Sequence, residues 1–246
     1  MSNRSLVVFD CDGTLVDSEP IAARVEAELL SARGVDITAE EVIDRFTGLS
    51  GAATSRLVED GWGVRLGDDF HAEKAARLAA AFAGELRPVA GIPKLLERTE
   101  GDICVASSSG PQRISLSLEL TALARWFPPA ARFSAAMVER GKPAPDLFLL
   151  ASERMGFPAG GCIVVEDSPY GVQAGVAAGM TVIGFTAGGH CRPGLGAQLR
   201  AAGAATVASD ATELAAHLPL RSRDQSSPPP PGRRQPVPGR PARRRP

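Results

Sequence analysis

The pattern of apolar and polar positions predicts a series of strands separated by helices. The apolar run from Leu6 to Phe9 is typical of a strand that is buried on both faces, as in a parallel sheet covered by helices. Further strands are predicted at 103–106, 132–133, 162–165 and 181–185, with a last strand and helix between 205 and 217. Helical patterns lie between them, at 92–99, 112–123, 145–155 and 169–178. This alternation predicts an α/β fold with a doubly wound parallel sheet.

Residues 15–88 interrupt the alternation with helical patterns alone. Pro20 stands where the first turn of a helix is expected, and an apolar stripe with helical spacing follows it. Farther on, Thr38 to Glu41 has the spacing of a capping box at the start of another helix. We therefore expect a core formed by residues 1–14 and 89–218, with an all-helical cap inserted between the two parts.

Composition changes at the C-terminus. Residues 219–246 contain eight arginines and nine prolines but a single acid, Asp224, and almost no large apolar side chain. Such a segment cannot bury a core, so we expect a disordered tail. It is either a basic arm for an acidic partner or nucleic acid, or a dispensable terminus, and we favour the second interpretation. Because the whole chain has a net charge of −1, the first 218 residues are acidic.

The rest of the composition is that of a globular protein. The chain has 246 residues, 44% of them hydrophobic, which is enough for a sizeable core. No apolar run approaches the roughly 18 residues of a membrane span, and the N-terminus has no signal-peptide pattern. The four cysteines lack the Cys-x-x-Cys spacing of zinc sites, so we expect reduced thiols. We expect a cytoplasmic monomer that binds no membrane and no nucleic acid, with the tail leaving the last point open.

Candidate chemistry begins where the first predicted strand ends. Asp10 and Asp12 follow it one residue apart, and because strand side chains alternate, both carboxylates are expected on one face. Two acids this close repel each other unless a cation or a shared proton compensates their charge. Ligands of parallel sheets collect at the carboxyl ends of the strands, and Asp10 lies at such an end.

Three other polar clusters can reach the same edge of the sheet. Ser107 to Gly110 follow the second predicted strand, Glu166 to Ser168 follow the fourth, and Lys142 stands in a loop before a helix. Hard carboxylate oxygens suit magnesium, whereas serine hydroxyls, backbone N–H groups and a lysine suit phosphate oxygens. The simpler alternatives are a helix-capping turn for the serines, charges that match a helix dipole for the two acids, and a solvated loop lysine.

Two other features are assigned no chemistry. The spacing of Gly171, Gly175 and Gly179 predicts close helix packing, and no Gly-x-Gly-x-x-Gly motif opens a helix after a strand, so we expect no nucleotide cofactor. We also assign no role to the three histidines, which are isolated in the sequence: His71, His190 and His217.

Four segments, taken in order, resemble the motifs of the haloacid dehalogenase superfamily. They are Asp-Cys-Asp-Gly-Thr-Leu-Val-Asp at 10–17, Ser107 after the second strand, Lys142 in Gly-Lys-Pro-Ala-Pro-Asp, and Glu-Asp-Ser-Pro-Tyr-Gly at 166–171. The helical insert after the first motif resembles the β-phosphoglucomutase-like branch, which includes many sugar-phosphate phosphatases. The resemblance extends from residue 5 to about residue 218 and implies a Rossmann-like core.

The resemblance also implies roles for individual residues. Asp10 would be the nucleophile that forms an aspartyl-phosphate, and Asp12 the general acid and base. Ser107, Ser108 and Lys142 would bind the phosphoryl group. Magnesium would be held by Asp10, the backbone carbonyl of Asp12, and Asp167, with Glu166 ligating it directly or through water. The expected function is a Mg²⁺-dependent phosphatase for a small phosphorylated metabolite, such as a sugar or sugar-acid phosphate.

Other activities remain as alternatives. A β-phosphoglucomutase-like phosphomutase would carry a histidine near Ala22 and an arginine near Gly51, and their absence weakens that alternative. A dehalogenase would have no use for Asp12 or for the metal-binding acids. A non-catalytic phosphate-binding or regulatory module is a further alternative. Within the insert, which we expect to close over the site, the best candidates for substrate contact are Thr47, Gly48 and Ser50.

Overall fold

A single parallel sheet forms the centre of the molecule. The computed structural model describes residues 5–46 and 51–221. Within them, six strands lie in the order β3-β2-β1-β4-β5-β6, and every pairing is parallel. The strands are β1 (Leu6–Phe9), β2 (Asp102–Ser107), β3 (Arg132–Ser134), β4 (Cys162–Glu166), β5 (Thr181–Phe185) and β6 (Thr206–Ala208). The predicted doubly wound α/β fold is confirmed, with β1 between β2 and β4.

Ten α-helices complete the described part of the chain. They are α1 (Glu19–Ser31), α2 (Ala39–Phe46), α3 (Gly51–Trp62), α4 (Asp68–Glu85), α5 (Ile92–Arg98), α6 (Pro111–Leu120), α7 (Asp146–Met155), α8 (Pro169–Ala177), α9 (Leu195–Ala201) and α10 (Ala211–Ala215). The sequence pattern did not predict α9. This helix has seven residues and its apolar stripe consists of Leu195 and Leu199, which is too short for a helical period to be recognised.

The sheet is buried on both faces, as the apolar run of β1 predicts. All four residues of β1 have no exposed surface. Leu6 and Val8 face the cluster that contains residues of α7, α8 and α9, whereas Val7 and Phe9 face the cluster that contains residues of α5, α6 and α10. Such two-sided burial is typical of a strand in a parallel sheet that helices cover on both faces.

The helical insert consists of α1 to α4, and its two connections to the sheet run side by side. Val16 forms an isolated bridge with Pro88, and the Val89 N–H donates to the Leu15 carbonyl at 3.0 Å. At the start of α2, the expected capping box is present: the Thr38 N–H donates to Glu41 at 2.9 Å, and the Glu41 N–H donates to the Thr38 hydroxyl at 3.2 Å. The paired connections attach the insert to the core just after, in sequence, the turn that carries Asp10 and Asp12.

The described chain continues slightly beyond the expected start of the tail. Leu220 bridges Thr99, and the Glu100 N–H donates to the Pro219 carbonyl at 2.8 Å. Residues 219–221 are therefore tied to the core by backbone pairing rather than belonging to the tail, and residues 222–246 lie outside the described part. No helix in the described ranges is long and apolar enough to cross a membrane.

Two of the three regularly spaced glycines lie where a side chain would collide. A Cβ atom at Gly171 would lie 2.0 Å from the Glu166 carboxyl group, and one at Gly175 would lie 2.6 Å from Cγ2 of Val182. Gly179 has open space around it but a positive φ of 75°, which suits the end of α8. The glycine spacing thus brings α8 against β4 and β5, as predicted, at its first two positions.

Gly175→Ala should destabilise the fold by about 1–3 kcal/mol, because the added methyl group must displace a β-branched side chain in a closely packed strand. Urea unfolding would measure this loss. Gly160→Ala is the matched control, since a Cβ atom there has no neighbour within 4 Å. We expect the control to stay within about 0.5 kcal/mol of the unchanged protein. Equal effects of the two substitutions would contradict the packing argument.

Candidate active site

The carboxyl edge of the sheet gathers the polar residues of three neighbouring strands. Asp10 directly follows β1, while Ser107 and Glu166 end β2 and β4, the two strands that flank it. The Asp10 N–H donates to the Val165 carbonyl at 2.9 Å, which extends the ladder by one residue. Between this edge and the helical insert lies a cavity of about 480 Å³. Its lining includes Asp10, Asp12, Ser107, Ser108, Ser109, Lys142, Glu166 and Asp167.

Lys142 is the cation at the centre of this cluster. Its side chain is 4% exposed, and its ammonium group donates to Asp10 Oδ1 at 2.5 Å, to the Ala106 carbonyl at 3.0 Å and to Glu166 Oε1. The three protons of the ammonium group are thereby matched by three acceptors. The lysine is a buried part of the site, and the alternative of a solvated loop lysine is wrong.

Glu166 is fully buried, and both of its oxygens are already engaged. Oε1 accepts from Lys142, while Oε2 accepts from the Ser168 N–H at 3.1 Å and from the Ser168 hydroxyl at 3.0 Å. Gly171 makes room for this carboxyl group, as described above. Glu166 therefore serves first to hold Lys142 and the start of α8 in place.

Burial dominates the electrostatics of Asp10. Desolvation raises the pKa of its carboxyl group well above the ordinary value, and the nearby charges of Glu166 and Asp167 raise it further, while Lys142 lowers it. Burial by itself would lower the pKa of Lys142, but Asp10 and Glu166 raise it above the ordinary value. Lys142 thus contacts two of the buried acids of the site, Asp10 and Glu166.

Asp12 lies in a different environment from Asp10. Its Oδ1 accepts from the Ser18 hydroxyl at 2.7 Å and from the Arg113 guanidinium at 2.9 Å. Its Oδ2 accepts from Ser109 at 2.6 Å and, more weakly, from Ser107 at 3.5 Å. Burial alone would raise the pKa of Asp12, but Arg113 and the hydroxyl groups lower it below the ordinary value. The two aspartates of the first motif are therefore chemically distinct.

Asp167 is held by donors on both oxygens. The Thr14 hydroxyl donates to Oδ1 at 3.0 Å, and His190 Nε2 lies 2.9 Å from Oδ2. His190 was expected to have no role, so this contact is a correction. The signal that could have found the residue is its place in the loop after β5, since that loop begins at the same edge of the sheet.

The acids at this edge fit a hard divalent cation. Asp10 and Asp167 are 7% and 5% exposed, and of the three buried acids at this edge two contact Lys142 and one contacts His190, so the acids outnumber the cations even with the histidine protonated. Among the described residues, no group of three or more acidic, histidine or cysteine side chains is arranged so that it could hold a metal ion by itself. Two carboxylates supplemented by a backbone carbonyl and water suit Mg²⁺, which keeps several waters when bound to proteins.

The structure brings together most of the residues that the sequence predicted, but not all of them. Ser108 lies on the cavity wall with an exposed side chain, and the serine that contacts Asp12 most closely is Ser109. Arg113 was not predicted, although its place in the first turn of α6, after the serine cluster, made it a candidate. The proposed substrate contacts Thr47, Gly48 and Ser50 lie outside the described residues.

The side of the cavity formed by the insert is also polar. Glu26 of α1 and Lys74 of α4 form an ion pair at 2.6 Å, and both line the cavity. Glu19, at the start of α1, lines it as well. At Ala22 and Gly51 the wall offers no functional side chain. A ligand in this cavity would meet the acids and Lys142 at one end and this mixed polar surface at the other.

The fold and the site together are those of an enzyme whose active site lies at the carboxyl edge of a doubly wound parallel sheet. The model of the haloacid dehalogenase-like hydrolase family matches residues 5–179. The chain therefore belongs to the haloacid dehalogenase-like hydrolases, and the resemblance noted from its motifs is confirmed.

Individual relatives agree with this assignment. The 6-phosphogluconate phosphatase of Escherichia coli is 35% identical over 195 residues, which span 78% of this chain and 87% of that protein. The fructose-1-phosphate phosphatase YqaB of the same organism is 30% identical and matches over 72% and 94% of the two chains. Among solved structures, a haloacid dehalogenase-like protein from Agrobacterium tumefaciens matches with a TM-score of 0.79 and 35% identity, covering 87% of this chain and 97% of that one.

Glu19 provides a test of the electrostatics of the cavity. Burial, reinforced by the charge of Asp12, raises its pKa from 4.5 to about 7. A raised carboxyl pKa means that the folded state binds the proton more tightly, so stability falls as the pH rises from about 4.5 to about 7. Glu19→Gln should therefore be more stable than the unchanged protein at pH 8 but not at pH 4.

This comparison is made by urea unfolding of the protein in EDTA at both pH values. Glu40→Gln is the control, because Glu40 is an exposed acid in the first turn of α2. The control should show no such pH-dependent difference. If the stability difference between Glu19→Gln and the unchanged protein were the same at pH 4 and pH 8, the raised pKa of Glu19 would be refuted.

Proposed function

We propose that this protein is a Mg²⁺-dependent phosphatase that hydrolyses the phosphate monoester of a small metabolite, such as a sugar or sugar-acid phosphate. The observation that carries the proposal is the contact of buried Lys142 with Asp10 at the end of the central strand, beside two further acids. The names of the relatives support the substrate class. They include phosphatases for 6-phosphogluconate, fructose 1-phosphate and hexitol phosphates.

Asp10 is the proposed nucleophile. It lies at the bottom of the cavity, and its contact with Lys142 fixes Oδ1 and compensates part of its charge. Attack of its carboxylate on phosphorus breaks the bond to the leaving oxygen and forms an aspartyl-phosphate, which water then hydrolyses. Lys142, Ser107 and Ser108, which also line the cavity, are the proposed ligands of the oxygens of the transferred group.

Asp12 is the proposed general acid and base. As a base, it takes a proton from the water that attacks the aspartyl-phosphate, and its lowered pKa keeps the carboxylate ionised for this step. As an acid, it must first carry a proton to the leaving alcohol. That proton would come from solvent. We propose that substrate entering the cavity displaces Arg113, the main cause of the lowered pKa of Asp12, so that Asp12 can take up the proton; Arg113 is part of the cavity lining and its side chain is 31% exposed.

Asp10, the backbone carbonyl of Asp12 and Asp167 are the proposed magnesium ligands. The engagement of both Glu166 oxygens favours a contact of Glu166 with the metal through water rather than directly. When bound, Mg²⁺ supplies compensation of the charges on the acids and the phosphoryl group, without which two anions would repel each other. Phosphoryl transfer depends mostly on such positioning and charge compensation.

The cavity favours a phosphatase over a phosphomutase. A mutase must hold a second phosphate, and the positions where the resemblance would place its histidine and arginine are Ala22 and Gly51 on the cavity wall. The cations on the insert side are also matched by acids, since Lys74 pairs with Glu26. Because the charges on the insert side of the cavity are paired, this side suits the hydroxyl groups of a substrate better than a second phosphate group.

Phosphate release from a panel of metabolites tests the proposal. The panel contains 6-phosphogluconate, fructose 1-phosphate, a hexitol phosphate and a hexose bisphosphate, each with Mg²⁺ or with EDTA. We expect turnover of at least one monophosphate, only with Mg²⁺, and a loss of at least about 10³-fold in kcat for Asp10→Asn, which removes the nucleophile.

The control substitution is Asp36→Asn, which changes an exposed acid of the insert and should leave kcat unchanged. Turnover that persists in EDTA or in Asp10→Asn would refute the proposed mechanism. Transfer of phosphate between two positions of a sugar, in place of its release, would favour the phosphomutase.

A further inference from the structure

His190 is buried beside Asp167, one of the proposed metal ligands. It lies in the β5 loop, residues 186–191, which leaves β5 at the carboxyl edge of the sheet. Its side chain is 3% exposed, and its Nε2 atom is 2.9 Å from Oδ2 of Asp167, whose side chain is 5% exposed. A histidine this deeply buried against a carboxylate is not a solvated loop residue, and the mechanism proposed above does not use it.

The contact of His190 completes a pair of donors around one carboxyl group. Thr14 donates to Oδ1 of Asp167, and His190 faces Oδ2, so each oxygen has one protein partner. A carboxylate held at both oxygens cannot rotate freely about its terminal bond. Each oxygen still keeps a second lone pair, because a carboxylate offers about four acceptor positions. The arrangement therefore fixes the direction in which the unused lone pairs point.

Two glycines bring the backbone close enough for this contact. A Cβ atom at Gly13 would lie 2.1 Å from Asp167 Oδ2 and 2.7 Å from Cε1 of His190. A Cβ atom at Gly188 would lie 2.7 Å from the Gly13 carbonyl oxygen and 2.8 Å from the His190 ring. The turn of the first motif and the β5 loop thus both lie close against the imidazole and Asp167.

The β5 loop is also tied to the segment that leads into the insert. The Gly189 N–H donates to Asp17 Oδ1 at 2.8 Å, and the Cys191 N–H donates to the Gly188 carbonyl at 3.0 Å. Within the described part of the chain, Nδ1 of His190 is buried without a hydrogen-bond partner. The polar contacts of the ring are therefore those of Nε2, which lies 2.9 Å from Asp167 Oδ2 and 3.8 Å from Cys191 Sγ.

We propose that His190 is a positioning residue for magnesium binding: its Nε2–H, together with Thr14, holds the Asp167 carboxylate in one orientation, in which it would bind the metal. This inference rests on the proposed function and extends it to a residue outside the four motifs. Groups that hydrogen-bond to metal ligands orient them, and removal of such a group typically reduces metal affinity by about 10–100-fold. His190 acts through Asp167 and contacts neither the metal nor the substrate.

The test compares replacements of His190 that differ in the ability to donate a hydrogen bond to Asp167. His190→Gln keeps an N–H near the position of Nε2, whereas His190→Met fills a similar space without a donor. His190→Asn is a second variant without a donor in reach, in case the methionine variant fails to fold. His217→Met is the control, because His217 is an exposed histidine in the last segment of the core.

The measurement is the Kd for Mg²⁺ alone, obtained by calorimetric titration of the metal-free protein. We expect His190→Met and His190→Asn to raise the Kd by about 10–100-fold, while His190→Gln and His217→Met stay within about threefold of the unchanged protein. In turnover assays, His190→Met should need more Mg²⁺ for half-maximal rate but regain most of its kcat at saturating Mg²⁺.

The outcomes separate this inference from the proposed function. If the unchanged protein bound Mg²⁺ and turned over substrate, but His190→Met bound Mg²⁺ equally well and only lost thermal stability, His190 would be structural and the inference wrong. The inference would also be overturned if His190→Gln lost as much affinity as His190→Met. If the unchanged protein bound no Mg²⁺, the proposed function itself would fail.

Discussion

The contact of Lys142 with Asp10 and Glu166 is the interaction on which the site depends. Buried carboxylates at one edge of a sheet repel each other and are costly to desolvate, so their presence requires a compensating cation. Lys142 meets this requirement for Asp10 and Glu166, and His190 lies against Asp167, so three buried acids share two cationic partners. The same shortage of positive charge suits the site to the proposed divalent cation, and the proposed phosphoryl group would bind only together with that cation. The charge balance of the buried acids thus bears both on the stability of the fold and on the proposed chemistry.

The topology of the sheet is what brings these acids and the lysine together. Parallel strands end at the same edge, so residues that directly follow β1, β2 and β4 become neighbours although they are far apart in sequence. The insert begins just after the first motif and returns beside it through the bridge of Val16 and Pro88. It therefore covers the edge that carries the acids. What differs between Asp10 and Asp12 is their surroundings: a lysine and acids around the first, an arginine and hydroxyl groups around the second.

Residues whose role follows from their own local pattern were predictable. The apolar run of β1, the capping box at Thr38 and the acids after β1 and β4 are all visible in a few consecutive residues. Helix α9 was missed because seven residues hold too few apolar positions to show a period. Arg113 and His190 were missed for another reason: each acts on an aspartate that is distant in the sequence, and only the packing of α6 and the β5 loop brings them there. The local pattern could not show the different pKa shifts of Asp10 and Asp12, which depend on those same contacts.

The central claim is that Asp10 reacts with a phosphoryl group whose charge is compensated by Lys142 and a divalent cation. ¹⁹F NMR of the protein with beryllium fluoride tests it directly, because the BeF₃⁻ group binds a nucleophilic carboxylate in place of a phosphoryl group. The account predicts protein-bound ¹⁹F signals when Mg²⁺ is present, and their loss both in EDTA and in Asp10→Asn. Bound signals of equal intensity without Mg²⁺, or in Asp10→Asn, would contradict it.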